Sequence, residues 1–352
     1  MVNFPAPVGG TAYPMDFAPS VLFAVLYAIL VPLMLYRMFD RRSRTVLLIG
    51  TVTFSIERVV IFALRASQSR NESRRLSPGL ATYMQISFGM GYLGIANDLV
   101  NLLRCLLVNP TYGSDMYFQS PAATTKGGVY SPPPPGTPDN PKLRFLSRRM
   151  TGYLSLAFFA AIVPGIIANS NYSKDFNNQK AADQTATLRF ASAGVTLALC
   201  LMIILAAGWS SKKFPMNSKR ATGVICGVSG LMAVVAIYRL SVMHLKTTSL
   251  AAPSSLNDTS AKVAFYIFHV LPEWLAITIL LVPNIRKLFG TGIWGDFRWK
   301  DMTPKQIQKW EAQQEKKARK RKMKQGISGD ALDAIPLQEK PGKSAGQARE
   351  TA

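Results

Sequence analysis

Residues 262–284 read KVAFYIFHVLPEWLAITILLVPN, an apolar stretch of bilayer-spanning length that carries His269, Pro272 and Glu273 near its middle. About 20 apolar residues suffice to cross the hydrocarbon core as a helix. A charged side chain at that depth costs roughly 2.5–3.5 kcal/mol on insertion scales, so it faces protein or water and marks a functional path by default. Outward from this stretch, apolar runs of similar length recur at 17–36, 46–64, 82–103, 153–168, 190–209 and 222–243. With 263–282 they make seven spans, the fourth being the shortest. They predict an all-α, polytopic seven-transmembrane helix bundle.

Composition agrees with a membrane protein. Charged residues are 17% of 352, against about 25% in soluble domains, and the mean hydropathy is +0.13. The net charge of +22 raises nucleic acid as a partner. However, the basic residues cluster between apolar runs and in the tail, where they set topology and attract anionic headgroups. Membrane lipids, and no nucleic acid, are therefore the expected partners. Cys105, Cys200 and Cys226 lie in or at the ends of apolar segments and read as small core residues. Two histidines, His244 and His269, cannot make a three-His metal site, and no compact set of acid, base and nucleophile stands out. No metal, cofactor or enzymatic activity is expected.

Residues 1–16 contain no lysine or arginine and so lack the basic start of a cleavable signal; they read as a short translocated tail. Basic clusters at Arg37, Arg41, Arg42 and Arg44, at Lys142, Arg144, Arg148 and Arg149, and at Lys212, Lys213, Lys219 and Arg220 place the amino terminus outside and the carboxyl terminus in the cytoplasm. Arg65, Arg70, Arg74 and Arg75 break that alternation. The Asn-x-Ser/Thr acceptors Asn71, Asn171 and Asn257 restore it, one in each connection that this topology puts outside. They imply passage through the secretory pathway to the plasma membrane or an endomembrane.

Spans one to three occupy 17–108 and spans four to seven occupy 150–285. Between them, the Pro/Ser/Thr-rich cytoplasmic connection 109–149, with SPPPPGTPDNP at 131–141, is expected to be extended or disordered. It offers a docking place for a cytoplasmic partner. The basic juxtamembrane segment 286–325 offers another: Phe289, Trp294, Phe297 and Trp299 suit an interfacial anchor, and Thr303-Pro304 with Gln306 starts a basic helix. Residues 326–352 read as a disordered tail. Oligomeric state is not legible.

Several polar residues sit inside the spans: Glu57 and Arg58 in span two, Asn97, Asp98, Asn101 and Arg104 in span three, Tyr238 and Arg239 in span six, and His269 and Glu273 in span seven. Alternating helix direction sorts them by depth into two layers. An outer one joins spans two, six and seven, with Arg239 or Arg58 against Glu57 or Glu273. An inner one centres on span three, with Asp98 in reach of Asn101. Neighbours 57 and 58 point about 100° apart on a helix, so each needs its own partner. Gly223, Gly227 and Gly230 predict close helix packing on one face of span six, and Pro164 and Pro272 predict kinks. The outer layer reads either as ion pairs that hold helix register or as a path for a ligand, headgroup or proton.

Glu57 in span two, Tyr238-Arg239 closing span six, and Phe265-Tyr266 followed by FHVLPEWLA resemble fungal seven-helix membrane proteins of the lipid-translocating exporter-like family associated with sphingoid-base and aminocholesterol resistance. The resemblance covers the last third of the chain and one earlier helix. It implies transport of a lipid or amphiphile by helix rearrangement. The same layout fits a G-protein-coupled-receptor-like sensor, signalling through 109–149 and the tail. Span three, however, ends NDLVNLLR rather than in an acidic-Arg-Tyr triplet, and span seven ends VPNIRKLFG rather than in an Asn-Pro-x-x-Tyr turn. Both readings stay open.

Overall fold

Each apolar run forms a helix, and each helix is longer than its run. A computed structural model describes residues 2–214, 218–251 and 254–324; the tail expected at 326–352 lies outside the described residues. The helices are α1 (Phe17–Phe39), α2 (Ile49–Arg70), the single turn α3 (Glu72–Arg75), α4 (Pro78–Val108), α5 (Pro141–Ser170), α6 (Gln179–Lys213), α7 (Lys219–Val242), α8 (Thr259–Phe265), α9 (Leu271–Leu281), α10 (Ile285–Phe289) and α11 (Pro304–Lys324). Among the described residues seven helical stretches are long and apolar enough to cross a membrane, the last being α8 and α9 joined through the turn between them. Fold and composition together make this an integral membrane protein.

Burial explains the arrangement. In α4 most side chains from Met84 to Val108 are buried, so α4 is the central post. In α1 and α5 large apolar side chains such as Leu22, Ile29, Leu156 and Phe159 remain exposed, as a lipid-facing helix requires. The chain divides after Trp299: residues to that point form the bundle, and α11 lies in the remainder. There Thr303 N–H donates to Gln306 Oε1 at 2.9 Å, half of the capping box read from the sequence.

Both ends of the bundle are more ordered than the sequence suggests. Residues 1–16 were expected to be a tail; instead Phe4–Pro5 (β1) pairs antiparallel with Lys246–Thr247 (β2). Phe4 packs edge-on against Phe176 and Tyr172, and residues 4–12 are buried over the bundle. The connection 109–149 is ordered in part: its last part is already α5, and short 3-10 turns at Asn109–Thr111, Tyr117–Gln119 and Pro121–Thr124 shape its start, while the proline run at 131–140 has no helix or strand and is mostly exposed. Asn109 is the knot: its Nδ2 donates to the carbonyls of Phe289 and Gly290 at 2.8 and 3.1 Å, and its Oδ1 accepts from Ser120 Oγ at 2.8 Å. Gly290 adopts a left-handed φ of 56°, and a methyl there would press on Ala122 and Tyr130 at 2.9 Å. Average composition reported the prolines; a few mutually satisfied polar groups decided the structure.

The aromatic anchor survives in part. Trp294, Phe297 and Trp299 are exposed, whereas Phe289 is buried. Asp296 between them receives Arg148 Nε at 2.9 Å and Arg104 Nε at 3.2 Å, which ties this segment to α4 and α5.

Candidate functional site

Glu273 lies in the first turn of α9, just after a π-helical turn at Tyr266–Val270. Pro272 has no N–H to continue an α ladder, and the Leu271 N–H reaches back five residues to Tyr266 O. The kink expected at Pro272 thus takes the form of a widened turn that swings His269 and Glu273 inward. Arg58 of α2 answers Glu273: its Nε donates to Oε2 at 2.9 Å and its Nη2 to Oε1 at 3.3 Å. The same guanidinium donates to Ser87 Oγ at 2.5 Å and Ser87 O at 3.1 Å on α4. Both partners are buried. Gly91 is required at the crossing, because a methyl there would collide with Arg58 Nη2.

Two expectations about this layer change. Glu57 and Arg58 were assigned separate partners, yet Glu57 Oε2 stands 3.5 Å from Arg58 Nη1, since long side chains can bend across 100°. Arg239 was expected against an acid. Its Nη1 instead donates to Phe88 O at 3.1 Å and its guanidinium lies 5.3 Å from the Tyr92 ring centre, while its Nε has no hydrogen-bond partner. His269 is enclosed by the rings of Phe265, Phe88, Tyr238 and Tyr92, and neither ring nitrogen has a partner.

A third arginine, which the sequence reading missed, joins Arg58 and Arg239. Arg189 of α6 donates from Nε to Asn169 Oδ1 of α5 at 3.0 Å and lies over the Tyr172 ring at 4.5 Å. Both of its Nη atoms lack partners. Asn169 in turn donates from Nδ2 to Gly165 O at 2.7 Å, and Gly89 of α4 lies where a methyl would strike Asn169 Nδ2 and sit 3.7 Å from Arg239 Nη2. Arg189 and Arg239 are each only 2% exposed, and no carboxylate of the described residues forms an ion pair with either. Asp175, on the turn between α5 and α6, is the nearby acid. Its Oδ1 accepts from Thr185 Oγ1 at 3.0 Å, its Oδ2 has no partner, and burial pushes its carboxyl up to about 6.

Closer to the amino-terminal end lies a compensated ionic group, also missed. Asp16 Oδ1 accepts from Arg65 Nη2 at 2.9 Å and Tyr266 OH at 3.0 Å, and its Oδ2 stands 2.9 Å from Lys262 Nζ. Arg65 and Lys262 also donate to Gly9 O at 2.6 and 2.9 Å, and Lys262 to Thr11 O at 2.5 Å. Gly9 has φ 80°, and its Cα is pressed on the Phe265 ring so closely that a methyl would lie 2.7 Å from it. Arg65, which departs from the charge alternation in the sequence, is an interior residue. A signal was present, since Asp16 is the only acid between Met1 and Phe39.

The inner layer is a cap rather than a path. Asp98 Oδ2 accepts from Thr51 N at 2.7 Å and Thr51 Oγ1 at 2.8 Å, a carboxylate placed on the amino end of α2. Gly50 admits it: a methyl there would sit 3.1 Å from both carboxylate oxygens. Asn101, half-buried, is not the partner expected for Asp98.

The three glycosylation candidates lie in connections at the end covered by residues 4–12. Asn71 is exposed and caps α3 through Arg74 N at 3.1 Å. Asn171 is half-buried, with Nδ2 donating to Ile167 O at 3.0 Å. Asn257 is different: its Oδ1 accepts from Thr11 N at 2.9 Å and its Nδ2 is buried without a partner, so this packing leaves no room for a glycan there. Among the described residues no group of three or more His, Cys, Asp and Glu could hold a metal ion.

The interior is therefore a seven-helix membrane scaffold in which the paired Asp16–Arg65–Lys262 and Arg58–Glu273 groups are joined by two buried arginines, Arg189 and Arg239, that lack an ion-pair partner among the described residues. No family model, curated protein or solved structure matches this chain.

Proposed function

We propose that this integral membrane protein moves an amphiphile with an acidic head through the bilayer, taking the head on Arg189 and Arg239. The carrying observation is that two arginines buried within a membrane bundle keep donors without acceptors and form no ion pair with a carboxylate among the described residues. An uncompensated buried charge costs several kcal/mol, and an arriving carboxylate or phosphate removes that cost through charge-assisted hydrogen bonds. The resemblance to lipid-translocating exporter-like proteins supports an amphiphile as cargo, and the surplus of cation supports an acid. The Tyr266–Val270 turn is a site where the seventh span can repack. The amino terminus outside and a secretory-pathway membrane belong to this reading.

A reconstituted assay tests it. Vesicles holding the protein should carry a fluorescent long-chain acid across at a rate that Arg239→Gln and Arg189→Gln lower at least about tenfold, the loss of one charge-assisted bond of about 1.5–3 kcal/mol. Equal movement of the matching long-chain amine, or variants that transport normally, would contradict it.

A second reading, a sensor, is favoured by the amino-terminal segment, whose Gly9 and Thr11 carbonyls share Arg65 and Lys262 with Asp16. A ligand that displaces this segment would alter the seventh span directly. Ligand-dependent capture of a partner by the 109–140 surface, without transport of the acid, would select it.

A further inference from the structure

The glycines of α7 do not pack against another helix. Methyl groups built on Gly223, Gly227 and Gly230 would meet nothing within 4 Å, so the close contact expected from their spacing is absent. Gly223 and Gly227 instead floor a groove of about 540 Å³ between α7 and the end of α9. Val224 and Ile279 line its apolar length, and Arg220, Asn284 and Lys287 stand around one end of it. Arg220 is exposed and Lys287 half-buried; no carboxylate pairs with either among the described ion pairs. The wall behind Lys287 is fixed, because Val129 N–H donates to Lys287 O at 3.1 Å and closes the connection 109–140 against α10.

This arrangement has the polarity of a phospholipid. Apolar length lies along two membrane-spanning helices, and two cations and an amide stand where those helices end. A neutral tail alone would leave the cations unused, and a soluble anion would leave the apolar floor uncovered.

We infer that this groove holds an anionic phospholipid, its acyl chain over Gly223 and Gly227 and its phosphate between Arg220 and Lys287. The site shares no residue with the Arg189 and Arg239 cluster and does not depend on it. Its lipid sits against the wall made by Val129 and Lys287, so occupancy links the 109–140 connection to the charge of the surrounding leaflet. Each basic residue near a charged membrane surface adds about 1 kcal/mol of attraction, which is about fivefold in occupancy per residue.

The test is lipid retention by the purified full-length protein, read by native mass spectrometry after exchange into mixed micelles of phosphatidylglycerol and phosphatidylcholine. The wild type should retain one phosphatidylglycerol in at least fivefold preference, unaffected by added inorganic phosphate. Arg220→Gln with Lys287→Gln should abolish the preference while leaving the thermal midpoint unchanged. Gly227→Leu, which fills the groove from an open face, should abolish retention of either lipid with both cations intact. Equal retention of the two lipids by the wild type, displacement by inorganic phosphate, or undiminished preference in the folded double variant would overturn the assignment.

Discussion

Arg58 donates two hydrogen bonds to Glu273 inside the bundle; losing Arg58 leaves the Glu273 charge buried alone, and losing Glu273 leaves Arg58 with only the Glu57 carboxylate, at 3.5 Å, to pair with. Glu273→Gln or Arg58→Gln should therefore destabilise the folded protein by about 3–5 kcal/mol, while a paired Arg58→Met, Glu273→Met change should recover most of that loss. Denaturant unfolding in detergent measures the cycle, and additive single effects would contradict the pairing. Asp175 gives a pH signature. Its carboxyl is raised from 3.8 to about 6 by burial, so the folded state binds the proton more tightly than the unfolded chain. Stability should then fall as pH rises from about 4 to about 6, and Asp175→Asn should flatten that slope. A thermal midpoint that rises through this window in the wild type, or an unchanged slope in the variant, would rule this out. At this scale the sequence revealed Glu273, Arg58, His269 and Arg239 because each interrupts an apolar run. It hid Arg189, Lys262 and Arg65, which stand at run edges and look like ordinary flanking charges.

At the scale of elements, hydropathy located all seven spans but cut several of them short. The fourth run covers 153–168, yet α5 extends from Pro141 to Ser170; the fifth covers 190–209, yet α6 extends from Gln179 to Lys213. The missing turns contain Arg144, Arg148 and Arg189, whose polarity lowers a window average although their partners bury them in the fold. The charge that truncated each run is thus the charge that does local work. Span seven was legible to its proline, but the π turn was not, because i→i+5 bonding leaves no compositional trace. The glycines of α7 show the opposite failure: their spacing is that of a packing motif, and only the positions of neighbouring helices reveal an open groove.

For the whole molecule, the all-α seven-helix class was readable because a bilayer admits few alternatives for an apolar chain of this kind. The ordered ends were not. Residues 4–12 and 109–140 are held by long-range contacts such as Gln85 to Val8 and Asn109 to Gly290, which no local composition encodes. Together they leave a bundle whose amino-terminal end is covered and whose interior carries excess positive charge. We propose that an acidic amphiphile neutralises Arg189 and Arg239. Equilibrium binding to the purified protein tests it most directly, comparing a long-chain carboxylate with the amine and the alcohol of the same chain. The account predicts that the carboxylate binds at least about tenfold tighter than either, one charge-assisted hydrogen bond or more, and that a folded Arg189→Gln, Arg239→Gln variant loses that preference. Equal affinity for the three compounds, or a preference that survives in the variant, would contradict it.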